Sequence, residues 1–328
     1  MRILITGAAG FIGFHVTQVL HASGHEIVGI DNLNDYYDVR LKKSRLAESK
    51  KLNNLQFIKL DLADREGVAN LFERISFDVV VHLGAQAGVR FSLESPFSYV
   101  DSNLTGTLTV LEGCRNSKVG HLIYASSSSV YGANTKQPFS IDDRVDCPVS
   151  LYAATKKSNE MMCHAYAHLY GIPMTGLRFF TVYGPWGRPD MAYFKFADAI
   201  QSDRSIDIYN HGDMKRDFTY IDDVVNVIDR IVGSPAKCVN DKVPHRVYNV
   251  GHHRPEKLID LVETLEELLN KKAQKNFLPM QPGDVLSTYA DTSETYRDYG
   301  FEPKVSMKEG LSRFVDWHRV WRSEAANI

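Results

Sequence analysis

The feature that most constrains this chain is its beginning. A short apolar run, "RILIT", passes directly into "GAAGFIG", Gly7 to Gly13, and then into a helix-length amphipathic segment. The same alternation recurs across the first half. "EIVGID", "LQFIKLDL", "VVVHLGA", "HLIYASS" and "MTGLRFF" are near-continuous apolar runs, the pattern of strands buried on both faces. "FIGFHVTQVLHASG", "REGVANLFERI", "SNLTGTLTVLEGCRNS" and "YAATKKSNEMMCHAYAHLYG" read as the helices between them. Repeated strand–helix units predict an α/β fold built on a parallel, right-handed, doubly wound sheet of Rossmann type. After Phe180 the character changes, and "TVYGPWGRPDMA", Thr181 to Ala192, reads as loop. Helix, strand, helix and strand follow, ending in "EKLIDLVETLEELLNKKA", a helix whose basic end suits its C-terminus. The predicted boundary therefore falls near residue 181, with a cofactor-binding part over 1–180 and a smaller α/β substrate part over 181–328. The strand near 246–251 is left free to rejoin the first sheet.

The glycines carry the first chemistry. Gly7, Gly10 and Gly13 follow a strand and open a helix, where they permit a tight turn, close approach of a pyrophosphate and close helix–strand packing. With Phe11 and Ile12 they place free N–H groups at a helix N-terminus, which attracts an anion. Asp31 ends the next strand 18 residues after Gly13, with Asn32 beside it. A carboxylate there accepts from ribose hydroxyls and repels a 2′-phosphate, so NAD is expected rather than NADP. Asp61 and Leu62 end a third strand where adenine could rest. Leu83 and Ala85 flank Gly84 at a fourth, and Asn103 is a further cofactor-side candidate that could instead brace the neighbouring strand.

Composition narrows the partners. A net charge of −2 over 328 residues gives no electrostatic case for nucleic acid or an anionic membrane. No apolar window approaches the length of a transmembrane helix. Cys114, Cys147, Cys163 and Cys238 are scattered without a CxxC pair, which reads as reduced thiols in the cytoplasm rather than a disulfide framework or metal site.

In "SLYAATKKSNE", Tyr152 and Lys156 stand at i and i+4, on one helix face with Cβ atoms about 5–6 Å apart. An ammonium so placed is expected to lower the phenol pKa and make a base of it. About 25 residues earlier, "LIYASSSS" sets Ser126 to Ser129 at the carboxyl edge of the sheet, where open α/β folds bind ligands. Glycine motif, strand-end serine and YxxxK in this order resemble the short-chain dehydrogenase/reductase superfamily. GxxGxxG and the chain length are similar to its extended branch of sugar-nucleotide epimerases and dehydratases. Within that branch "DNLNDYYDVRLK", "AQAGVRFSLESP" and "LRFFTVYGPWGRPDMA" look most like UDP-glucuronate 4-epimerases.

The resemblance implies a cycle in which Tyr152 takes the sugar 4-OH proton and Lys156 holds the nicotinamide ribose. It makes Ser127, with Ser126 as understudy, the hydroxyl at O4. The cofactor is NAD, carried and recycled, and the substrate a UDP-hexuronate. A 4-keto-hexuronate loses CO₂ readily, so Ser128, Ser129 and Thr181 are expected to orient its carboxylate with neutral hydroxyls. Arg216 matches the family's pyrophosphate contact. Arg188 is a candidate for phosphate or sugar, Asp284 for the uridine ribose and Arg90 for the loop over the sugar. Gln281 stands where many relatives have Arg. The resemblance also implies a homodimer and a place in polysaccharide biosynthesis.

Rival activities differ by single positions. Dehydratases carry an Asp-Glu pair where Ser128 and Ser129 stand, and decarboxylases carry a Glu close to the serine, absent here before Tyr131. Epimerases of neutral UDP-sugars usually have Asn at the position of Thr181. A non-catalytic NAD-binding scaffold would have no need of Ser127, Tyr152 and Lys156 together.

Overall fold

The computed structural model describes residues 1–53, 55–236, 243–281 and 283–325, so Cys238 lies outside the described residues. In chain order the strands are β1 (Arg2–Thr6), β2 (Glu26–Asp31), β3 (Leu55–Lys59), β4 (Val79–His82), β5 (His121–Ser127) and β6 (Met174–Phe179). Then come β7 (Thr181–Tyr183), β8 (Ser205–Ile208), β9 (Lys215–Tyr220), β10 (His245–Val250), β11 (Pro255–Lys257) and β12 (Gln274–Phe277). The helices that matter below are α1 (Phe11–Ala22), α2 (Val39–Ser49), α3 (Arg65–Arg74), α4 (Phe91–Glu94), α5 (Pro96–Tyr99), α6 (Gly106–Asn116) and α7 (Leu151–Tyr170). The second half adds α8 (Ala192–Gln201), α9 (Ile221–Val232), α10 (Leu258–Leu269), α11 (Ser293–Tyr299) and α12 (Met307–Ala325).

Seven strands form one parallel sheet in the order β10-β6-β5-β4-β1-β2-β3, the Rossmann-type arrangement. Side chains alternate between two buried layers, as a strand covered on both faces requires. Ile3 and Ile5 of β1 join Val81, Ile123 and Leu177 in one layer; Leu4 joins Val28, Val80 and Leu122 in the other. The first layer runs on into the second half through Tyr183, Phe194, Ile228, Leu261 and Phe314. There β9 lies between β7 and β11, and β12 pairs with β8.

Three local details depart from the sequence reading. Thr181–Tyr183, read as loop, is strand β7, because its backbone pairs with Phe218–Tyr220 of β9 and not with anything near in sequence. Helix α10 stops at Leu269, where Asn270 takes a left-handed φ of 51°, before the basic run that was to end it. The segment ahead of α6 is a π-helical turn, Val100–Thr105, whose extra residue per turn swings Asn103 inward.

Helix α7 starts where its sequence says it should. The Ser150 hydroxyl accepts from the Ala153 N–H, and the helix ends at Gly171 in the left-handed region. Tyr152 and Lys156 are thereby fixed on its first two turns, facing the carboxyl ends of β4 and β5. The order of the sheet reverses between β1 and β4, and the crevice opens at that switch point.

Candidate active site

One cleft of about 950 Å³ runs from the glycine turn, past the end of β5, to the β9 side of the second half. Gly7 has φ +71°, and a Cβ added to it would stand 2.8 Å from the Gly84 nitrogen; one added to Gly13 would stand 2.1 Å from the Gly7 oxygen. Any side chain at either position would force the turn, α1 and the end of β4 apart. The cradle this leaves, at the N-terminus of α1 with Phe11 and Ile12, fits a dinucleotide diphosphate. Asp31 reaches in from β2. Its Oδ2 accepts from the Ala9 N–H at 3.2 Å and its Oδ1 from the Leu33 N–H at 2.8 Å. Each oxygen keeps a second lone pair that a ribose hydroxyl can use. Asn32 donates to Asp61 at 2.8 Å, so these two residues form one wall, with Leu62, Leu83 and Ala85 along the same cleft.

Asn103 does not join them. It is 1% exposed, and its amide is consumed within the protein. Oδ1 accepts from the Gln86 N–H at 2.8 Å, while Nδ2 donates to the Gln86 carbonyl at 3.1 Å and the Thr155 hydroxyl at 3.0 Å. Asn159 of α7 donates to its carbonyl at 2.7 Å. Asn103 thus ties the loop after β4 to the helix bearing Tyr152 and Lys156. Of the two readings its sequence left open, cofactor contact or brace, these bonds support the brace.

At the centre of the cleft the Ser127 hydroxyl accepts from the Ser129 N–H at 3.1 Å, capping the 3₁₀ turn Ser128–Tyr131 that carries Ser128 and Ser129. Ser127 donates to the Ser129 hydroxyl at 3.1 Å, and its hydroxyl lies near enough to the Tyr152 phenol to favour the phenolate. Ser126 is excluded as its understudy: its hydroxyl donates to Glu160 at 2.6 Å, on the buried side of the strand. Glu160 receives Nε and NH2 of Arg178 at 2.8 and 2.9 Å, and Arg178 donates on to the Tyr131 hydroxyl at 3.0 Å.

Lys156 and the Tyr152 phenol are both buried beside the end of β5. The lysine Nζ donates to the Ala125 carbonyl at the strand end, at 3.0 Å. Burial pushes Lys156 down to about 8. Burial likewise pushes the Tyr152 phenol up, against the nearby Ser127 hydroxyl and the positive charge of Arg188. Arg188 favours the phenolate, and its partner Asp190 opposes it.

The remaining predicted residues are present but paired. Arg188 grips Asp190 in a fork, Nε to Oδ1 at 3.0 Å and NH2 to Oδ2 at 2.5 Å, and Asp190 also accepts from the Tyr36 hydroxyl at 3.1 Å. Arg90 and Asp284, read separately from the sequence, form one ion pair at 2.9 Å, with the Arg90 guanidinium 4.7 Å from the Tyr209 ring centre. Arg216 donates to the carbonyls of Lys215 and Leu286, and burial pushes it down despite the attraction of Asp284. Thr181, at the start of β7, lines the cleft with the serines. Tyr36, Asp190 and Lys42 were not singled out from the sequence. The stretches "NDYYD" and "RPDM" held a phenol and a carboxylate with no apolar period around them, which was the available signal. Among the described residues no group of three or more His, Cys, Asp or Glu converges as a metal site, and no helix is long and apolar enough to cross a membrane.

A parallel-sheet crevice with a glycine cradle at one end and serine, tyrosine and lysine at its centre defines a class, and the comparisons agree. Residues 3–251 match the model of the NAD dependent epimerase/dehydratase family, and the chain belongs to that family. It is 49% identical over 330 residues to a probable UDP-glucuronate 4-epimerase of Rhizobium meliloti, covering 97% of each chain. It is similar also to the crystal structure of the UDP-glucuronic acid 4-epimerase of Bacillus cereus in complex with UDP-glucuronic acid and NAD. That match has a TM-score of 0.89 at 36% identity, over 98% of this chain and 100% of that one. The UDP-glucose 4-epimerase of Thermotoga maritima, solved with UDP-glucose, has a TM-score of 0.86 at 30% identity, over 98% and 100% of the two chains.

Proposed function

We propose that this chain is an NAD-dependent 4-epimerase that interconverts UDP-glucuronate and UDP-galacturonate through a transient 4-keto sugar. The observation that carries the reading is the sugar end of the cleft. Ser127 and Tyr152 line one cleft, hydroxyls of Ser128 and Ser129 stand where dehydratases have a carboxylate pair, and Thr181 stands where epimerases of neutral sugars usually have Asn.

In this reading Gly7, Gly10, Phe11, Ile12 and Gly13 hold the cofactor diphosphate, and Asp31 and Asn32 the adenosine ribose. Asp61 and Leu62 flank the adenine, and Leu83, Ala85 and Lys156 the nicotinamide side. Bound NAD supplies the hydride acceptor for C4, the donor that returns it, and a positive ring beside the phenol. Tyr152 takes the 4-OH proton and gives it back, with Ser127 holding O4. Ser128, Ser129 and Thr181 hold the carboxylate, each bond to a charged group contributing about 1.5–3 kcal/mol, so that the C5–carboxylate bond stays out of line with the carbonyl π system. Arg216 takes the pyrophosphate, with Asp284 and Arg90 at the uridine end and Arg188 near the sugar. The division of labour at residue 181, cofactor before and nucleotide sugar after, belongs to the same reading.

Homodimer formation is supported by the apolar side chains left exposed on neighbouring helices. Leu108 on α6 and Met161 and Leu169 on α7 are 42%, 62% and 65% exposed. A cytoplasmic setting is supported by Cys114, Cys147 and Cys163, all free thiols. A role in polysaccharide biosynthesis follows from the product, an activated hexuronate.

The test is an NMR time course of purified protein with UDP-glucuronate and no added NAD. UDP-galacturonate with its carboxylate intact is the expected product. UDP-pentose would make the enzyme a decarboxylase. Turnover of UDP-galactose alone would keep the tyrosine chemistry and discard the carboxylate pocket.

A further inference from the structure

Arg45 of α2 is completely buried and has no ion-pair partner among the described residues. All five of its N–H groups are spent on neutral oxygens. Nε and NH2 donate to the Trp186 carbonyl at 3.0 and 2.6 Å, and NH2 also to the Gly187 carbonyl at 3.0 Å. NH1 donates to the Ala9 carbonyl at 2.9 Å and the Tyr37 hydroxyl at 2.7 Å. The planar fork of a guanidinium is the only side chain able to serve four acceptors in this way.

Those acceptors belong to three segments remote in sequence. Ala9 is in the glycine turn, and its own N–H is held by Asp31. Tyr37 adjoins Tyr36, which donates to Asp190. Trp186 and Gly187 directly precede Arg188. Trp186 has φ +59°, a left-handed conformation that a bulky residue adopts only where its surroundings impose it. His15 of α1 adds a third grip on this loop through the Pro185 carbonyl at 3.0 Å. A carbonyl only accepts, so His15 Nε2 carries the proton. The loop bearing Arg188 and Asp190 is therefore pinned by the same two elements, α1 and α2, that frame the glycine turn.

A buried charge without a counter-ion is costly. Its field reaches its neighbours: it adds to burial in pushing down Lys42 and His15. A diphosphate on the far side of the glycine turn would supply the missing negative charge.

We propose that Arg45 is a positioning residue that makes binding of the dinucleotide and of the sugar nucleotide mutually reinforcing. It locks the turn facing the diphosphate to the loop carrying Arg188, so that ordering one site orders the other. The proposal rests on the functional reading above. By linkage, each ligand tightens the other by the same factor.

The test is calorimetric titration of NAD into protein stripped of cofactor, with and without saturating UDP-glucuronate, in a Tyr152→Phe background that prevents turnover. The parent is expected to bind NAD more tightly with UDP-glucuronate present, by about 5–150-fold, the usual span of such couplings. Arg45→Lys keeps the charge but cannot serve both loops, and its ratio is expected to fall to about 2-fold or less. Arg45→Met, if it folds, is expected to lose the ratio and to bind NAD more weakly in both conditions. A parent ratio of one overturns the proposal whatever the variants do. So does an unchanged ratio in Arg45→Lys alongside a lowered melting temperature, because the arginine would then be structural only. Failure of the parent to bind NAD at all would sink the functional reading, a result distinct from binding both ligands independently.

Discussion

Replacing Glu160 by Gln would test how the serine-bearing strand is held against the helix of Tyr152. The Glu160 and Arg178 side chains are each 4% exposed, and the pair is bidentate at 2.8 and 2.9 Å, with the Ser126 hydroxyl on the same carboxylate. Burial alone would push the Glu160 carboxyl up, yet the Arg178 and Ser126 bonds hold it below its ordinary value. The amide that replaces the carboxylate would face one of the guanidinium N–H groups with a donor and leave a buried cation without its counter-charge. Breaking a buried pair from one side costs about 3–5 kcal/mol. At roughly 2 °C per kcal/mol for a chain of this size, the melting temperature should fall on the order of 6–10 °C. Because the folded carboxyl is depressed, the stability it contributes is present above the unfolded value of about 4.3 and is lost as pH falls below it. The difference between wild type and Glu160→Gln should therefore shrink on acidification. Glu160→Leu combined with Arg178→Met removes both charges from the buried site and should recover part of the loss. Thermal unfolding by circular dichroism from pH 7 to pH 4 reads wild type, Glu160→Gln, the double variant and its two component singles. A single variant within about 1 kcal/mol of wild type, or a double variant whose loss is the sum of the singles, would refute the reasoning.

Three further outcomes are expected. Asp31→Ala should weaken NAD by at least about 100-fold, since charge-assisted bonds of about 1.5–3 kcal/mol each are lost; unchanged affinity by calorimetry would remove Asp31 from the cofactor site. Thr181→Val keeps the shape of the side chain and deletes its hydroxyl, so the fraction of UDP-pentose seen by NMR should rise, and a constant fraction would leave Thr181 a packing role. Lys156 is held down to about 8 by burial. The unfolded chain therefore binds more protons than the folded one above pH 8, and cofactor-free wild type should gain stability between pH 8 and 10, by up to about 1.4 kcal/mol per pH unit, relative to Lys156→Met. A difference that stays flat over that range would contradict the buried lysine.

The parts legible in the sequence were those encoded by near neighbours. The glycine turn is legible because strand, turn and helix lie within about 20 residues, and the face shared by Tyr152 and Lys156 because helical spacing sets it. What sequence did not reveal was pairing across distance. Arg90 and Asp284 were separate candidates until the fold brought their charges together, and Arg188 gave no hint of its commitment to Asp190 and Tyr36. Asn103 had the chemistry of a ligand contact, but a π-turn invisible to a 3.6-residue period turned it into the interior. The hydrogen bond of Lys156 was hidden for a related reason. Helical spacing brings Lys156 near, but the Ala125 carbonyl, set by the strand, decides where its ammonium points.

The place of β10 has a consequence for dividing this protein. The chain leaves the seven-stranded sheet after β6, builds β7 to β9, and returns to lay β10 along the outer edge of β6 from His245 to Val250. A fragment ending at Phe180 would keep the glycine cradle and all of α7, yet bare the N–H and C=O groups of β6 and one flank of its apolar layer. Such an edge pairs readily with other chains. A cut at the point where the chemistry divides is thus expected to yield aggregates, and a fragment meant to stay monomeric would have to carry its own substitute for residues 245–250.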